Sequence, residues 1–125
     1  VDIDDWNCCG ASAAHAVNKD LSLALPARIL ALAEKQGFQE VVVPCAACFN
    51  RLAVTQYELS KDEKLKKSIE NNIDMTFNND IKILNVVQFI EKYIKNKIAE
   101  YEGRFNSKFQ EVNRIKKNNF SARNS

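Results

Sequence analysis

EVVVPCAACFNRL, residues 40–52, joins two opposite kinds of pattern in thirteen positions. Residues 40–43 form a short, continuous β-branched run, the composition of a strand buried on both faces. Pro44 then opens a helix, because its fixed φ suits the first helical turn. Phe49, Leu52, Ala53 and Tyr57 recur at helical spacing and form that helix's apolar stripe. Cys45 and Cys48 fall at the carboxyl end of the strand, on the first turn of the helix. Ligands collect at that place in open α/β sheets, and the positive end of a helix favours thiolates.

Working outward, residues 22–36 carry Leu25, Ile29, Leu32 and Ala33 on one helical face, with Pro26 near the first turn and Gly37 as the stop. On the other side, a polar link at residues 60–72 reads as a helical turn or two. Residues 81–84 (IKIL) read as a second strand, and Val86, Phe89, Ile90, Tyr93 and Ile94 as the face of a last helix. The opening VDIDDW reads as the end of a further strand running into a loop. This alternation predicts an α/β fold: a small parallel sheet flanked by helices, with right-handed βαβ crossovers. From about residue 103 the periodicity weakens, which predicts a basic, mobile tail over 103–125.

DWNCCGA, residues 5–11, holds the other two of the four cysteines. Adjacent cysteines rarely pair with each other, because the ring they close is strained, and Gly10 supplies the backbone freedom to present both. If the loops at 8–9 and 45–48 converge, four thiolates meet, enough for a tetrahedral zinc or a 4Fe–4S cluster. A CxxC after a strand also suits dithiol redox chemistry, and four inert thiols are a third reading. His15 is a candidate ligand or proton donor, or a packing residue. Trp6 reads as a hydrophobic cover beside the doublet.

Composition narrows the class. The 125 residues suit one modest core, and no apolar run approaches the roughly 20 residues of a membrane span. The acidic N-terminus does not read as a signal peptide. Close cysteine clusters in such a chain point to metal or redox chemistry rather than to structural disulfides. Residues 1–91 carry nine Lys/Arg against thirteen Asp/Glu, whereas residues 92–125 carry nine against three. That basic end lacks the interleaved aromatic platform of a single-strand binder, so no nucleic-acid partner is expected. A start at Val1 with a single Met, at 75, reads as a piece of a longer protein.

DWNCCGA, ALPARILALAEKQGF, VVVPCAACFNRL and IKILNVVQFIEKY together resemble the cysteine-rich CCG domain of the heterodisulfide reductase B-subunit family, over roughly residues 3–95. The resemblance implies a CCG domain over residues 1–102 that binds a 4Fe–4S cluster, noncubane in that family, with zinc in some members. Cys8, Cys9, Cys45 and Cys48 are its implied cofactor and metal ligands. It further implies two-electron disulfide chemistry or, as in subunits of succinate dehydrogenase and fumarate reductase type, quinone-linked electron transfer. The implied partners are iron–sulfur or flavoprotein subunits of an oxidoreductase complex. The implied location is cytoplasmic, or at the cytoplasmic membrane face through that complex. The pattern departs from the family in two ways. Only seven residues precede Cys8, where the family has a further cysteine thirty-odd residues upstream, and the second CCG repeat is missing. These departures predict most of one repeat, inactive alone, with an exposed sheet edge open to self-association.

Overall fold

A computed structural model describes residues 1–11 and 13–123, with the side chains of His15 and residues 117–123 outside the description. The element order is α1 (Ala14–Val17), α2 (Lys19–Lys35), β1 (Glu40–Val42), α3 (Ala46–Lys61), α4 (Glu63–Ile73), β2 (Lys82–Leu84) and α5 (Val86–Phe89). A π-helical turn (Ile90–Ile94) and α6 (Lys95–Arg123) follow. Two compact units result, Val1–Val87 and Gln88–Ser125.

The centre of the first unit is a helix, not a sheet. Leu23, Ala27, Ile29, Leu30, Ala31, Leu32 and Ala33 of α2 are all buried, so α2 is apolar around most of its circumference. A helix of that kind must be covered on several sides, and α1, α3 and α4 all pack against it. Leu52 and Leu59 from α3, Ile69 from α4, and Phe77 and Ile81 from the following loop complete this core. Asn18 caps α2 by accepting from the Asp20 N–H at 2.8 Å. The helix starts three residues earlier than the spacing suggests. Pro26 therefore lies in its second turn, fully buried.

The α/β expectation is corrected by this arrangement. The chain is mostly helical, and among the described residues its strands make one two-stranded sheet. β1 and β2 do pair in parallel, Glu40 with Lys82, Val41 with Ile83 and Val42 with Leu84. The Val43 N–H extends the ladder by donating to the Leu84 carbonyl at 2.8 Å. Three residues per strand are too few to make a layer. Val41 is only half-buried and Val42 is exposed, so the β-branched run is not covered on both faces. VDIDDW forms a turn rather than a strand.

The supposed polar link is the eleven-residue helix α4, capped by Asp62, whose carboxylate accepts from the Lys64 and Leu65 N–H groups. Of the apolar stripe assigned to α3, Leu52 is buried as expected and Tyr57 is exposed, with Thr55 and Leu59 buried beside Leu52. The loop that delivers β2 is tied down at both sides. The Glu34 carboxylate accepts from the Asn78 N–H at 2.6 Å and the Asn79 N–H at 3.2 Å. Gln56 donates to the Ile81 carbonyl at 2.6 Å.

Candidate metal and redox site

The doublet loop is held by polar side chains that spacing alone did not single out. Arg28, a cation within the apolar run of α2, donates to the Asp5 carbonyl at 2.8 Å, to the Asp5 carboxylate at 2.6 Å and to Asn7 Oδ1 at 3.0 Å. Asn7 in turn donates to the Cys8 carbonyl and to the Leu25 carbonyl at 2.9 and 3.0 Å. Gln36, at the far end of α2, exchanges two hydrogen bonds with the Asp4 backbone, each of 2.9 Å. One helix thus fixes residues 4–8 at several points. The available signal was the lone Arg28 among apolar neighbours, together with the Asp and Asn two positions apart in DWN.

Gly10 completes the turn. Its φ is +72°, and a Cβ there would sit 2.8 Å from both Ala14 Cβ and Leu25 Cδ1. The glycine is required twice over, for a left-handed backbone and for close approach to α1 and α2. The turn sends the doublet's side chains to different surroundings. Cys9 is buried, whereas Cys8 is exposed, with its sulfur accepting from the Gly10 N–H at 3.4 Å.

Cys45 is the N-cap residue of α3 and is exposed, and Cys48 is half-buried one turn on. The structure brings the two clusters together through Cys9 and Cys48, whose sulfurs are 2.8 Å apart. Cys9, Cys45 and Cys48 line one cavity of about 240 Å³ together with Ile3, Trp6, Val41, Val43 and Leu52. Trp6 therefore does cover the site while keeping most of its surface in solvent. Cys8 does not line this cavity, and the side chain of His15 lies outside the described residues.

The thiols differ electrostatically. The Cys45 thiol titrates below its ordinary value, because the Cys48 N–H, the Cys48 thiol and the Ala47 N–H all stabilise its thiolate. The two N–H groups are donors of the first helical turn, which have no partner inside the helix. Cys48 is pushed up to about 12, first by its hydrogen bond to Cys9, then by burial and by its bond to Cys45. The helix start thus favours the Cys45 thiolate, and the contact with Cys9 favours the Cys48 thiol.

In donor chemistry the site fits a thiophilic metal or cluster: three thiols face one apolar cavity and a fourth sits on the adjoining residue. The Cys9 and Cys48 sulfurs, 2.8 Å apart, stand farther apart than the roughly 2.05 Å of a disulfide. Two sulfurs on a tetrahedral zinc, with Zn–S near 2.3 Å, lie about 3.8 Å apart, so Cys9 and Cys48 would have to part by about 1 Å. Among the described residues, no group of three or more His, Cys, Asp or Glu is gathered as a metal site.

These residues lie within a known pattern. Residues 1–53 match the CCG cysteine-rich domain family. The matched CCG segment spans both cysteine clusters, α2, β1 and the first half of α3. A stretch of 63 residues, 50% of this chain, is 38% identical to the 8-methylmenaquinol:fumarate reductase membrane anchor subunit of Wolinella succinogenes. The aligned stretch spans 22% of that protein's length. No solved structure matches the chain. Among the described residues, no helix is long and apolar enough to cross a membrane.

Proposed function

We propose that the chain is an iron–sulfur-binding CCG segment of an electron-transfer subunit, with Cys8, Cys9, Cys45 and Cys48 as its cluster ligands. The observation that carries this reading is the convergence of Cys9, Cys45 and Cys48 on one apolar cavity inside a CCG match. Cys8, exposed and next to Cys9, is the fourth ligand in this reading. Bound there, the cluster supplies electron transfer. The chain's own part is to hold and insulate it. The α3 N-terminus lowers the proton affinity of Cys45, and Gly10 N–H donates to the Cys8 sulfur. Trp6, Ile3 and Leu52 line the cavity beside the thiols with apolar surface.

Between the two reductase types, the similarity to a fumarate reductase subunit favours quinol-linked electron transfer over heterodisulfide reduction. A place at a membrane face then follows through partner subunits of the complex, rather than through a span within the described residues. A structural zinc module uses the same thiols and is the competing outcome of the test.

The test is anaerobic reconstitution of the full chain with iron and sulfide, followed by metal and sulfide analysis and electron paramagnetic resonance. Bound iron with acid-labile sulfide is expected, lost in Cys9→Ser, Cys45→Ser and Cys48→Ser, and weakened in Cys8→Ser. A chain that takes up zinc stoichiometrically and refuses iron overturns the electron-transfer reading. Retention of iron in Cys48→Ser overturns the ligand assignment.

A further inference from the structure

α6, with the last residue of the π-helical turn, carries an apolar stripe that the CCG reading leaves unused. Ile94, Ile98, Tyr101, Phe105, Lys108, Val112 and Ile115 follow one another at intervals of 4, 3, 4, 3, 4 and 3 residues. All six apolar members are exposed, from 38% at Ile94 to 68% at Phe105. An alternating 4–3 interval is the 3.5-residue period of a heptad repeat, held here for just over three heptads. A straight helix of 3.6 residues per turn drifts off such a stripe, and a left-handed supercoil about a partner helix keeps it in line.

The flanking charges choose the partner. In heptad terms Ile98, Phe105 and Val112 take the a positions, and Ile94, Tyr101, Lys108 and Ile115 the d positions. Lys97, Arg104 and Glu111 then occupy g, and Glu102, Phe109 and Lys116 occupy the e positions that face them from a parallel second copy. Lys97 meets the copy's Glu102, and Glu111 meets the copy's Lys116. Arg104 meets Phe109, so the flanks hold no like-charged contact, and the one that arises is Lys108 against the copy's Lys108 in the core. In an antiparallel pair aligned to set Lys97 against Glu111, Arg104 faces itself. Lys108 is the one charged member of the stripe, and a single charged core position fixes register at some cost in stability.

We propose that residues 94–116 form a parallel two-stranded coiled coil with a second copy of this chain. The full chain, kept reduced so that disulfides cannot link copies, is examined by analytical ultracentrifugation from 1 to 100 µM. A reversible dimer is expected. Phe105→Lys should weaken it by about a hundredfold or more, because two buried phenylalanines are lost per dimer. Lys108→Leu should tighten it. Lys97→Glu should weaken it about fivefold, and adding Glu102→Lys should restore it. A wild-type chain that stays monomeric at 100 µM overturns the proposal, as does a dimer indifferent to Phe105→Lys. Rescue of Lys97→Glu by Glu111→Lys, and not by Glu102→Lys, overturns the parallel arrangement. A monomer that floats with vesicles of phosphatidylglycerol and phosphatidylethanolamine assigns the stripe to a lipid surface instead.

Discussion

Single residues decide whether the two cysteine clusters meet. Gly10 is the least replaceable of them outside the thiols. Its left-handed φ of +72° costs an L side chain about 1–2 kcal/mol, and the 2.8 Å approaches to Ala14 and Leu25 add an overpacking cost of about 1–3 kcal/mol. Gly10→Ala is therefore expected to lower stability by about 2–4 kcal/mol in urea denaturation, with Cys9 becoming open to alkylation in the folded state. A loss below about 0.5 kcal/mol would show that the turn relaxes without cost. Arg28 and Asn7 act through the same loop, since their hydrogen bonds set where residues 5–8 lie relative to α2. The glycine and the thiols were legible in DWNCCGA. The roles of Arg28 and Gln36 were not, because each acts on a backbone group more than twenty residues away in sequence.

At the scale of elements, the helices carry the fold, and their ends are tied by side chains rather than by the small sheet. α4 is the clearest case. Glu70 on its last turn pairs with Lys66 at 2.9 Å and accepts from the Phe77 N–H at 3.1 Å, which locks the α4-to-β2 loop onto the helix. These contacts, Lys66 first, hold the Glu70 carboxyl below its ordinary 4.5. A carboxylate whose pKa is lower folded than unfolded contributes stability that is fully present above the unfolded value. That contribution is lost as pH falls through the folded one. Glu70→Gln should thus cost about 1 kcal/mol at pH 7, and the gap to the wild type should close as the pH is lowered beyond 4.5. Thermal melts of both proteins between pH 7 and pH 3 provide the check, and a gap that stays constant with pH would remove Glu70 ionisation as its source.

For the whole molecule, burial is unevenly distributed. The buried apolar residues that the structure describes run from Cys9 to Leu84, all within Val1–Val87. In Gln88–Ser125 the described residues are helical and most of their large apolar side chains are exposed. Ending the chain after Val87 should therefore leave cooperative unfolding in place, with a melting temperature within a few degrees of the full chain at dilute protein. Loss of the transition in residues 1–87, followed by calorimetry or circular dichroism, would show that the second unit stabilises the first. The exposed stripe also makes the full chain the form in which association is to be sought, and concentration dependence of its melting temperature would follow from a dimer.

Sequence alone determined the local pieces: the two thiol clusters, the glycine turn between doublet and α1, the helical stretches around residues 22–36 and 46–57, and the strand segments near 40 and 82. Those follow from periodicity and backbone preference, which act over a few residues. Fold class was decided by tertiary structure. VVV composition is the same in a buried sheet and in a three-residue strand at the surface, and only the packing of α1, α3 and α4 around α2 makes the chain mostly helical. The division of labour among the thiols was likewise settled by packing. Cys8 and Cys9 are chemically identical neighbours, and the direction of one turn against α2 leaves the first in solvent and sets the second against Cys48.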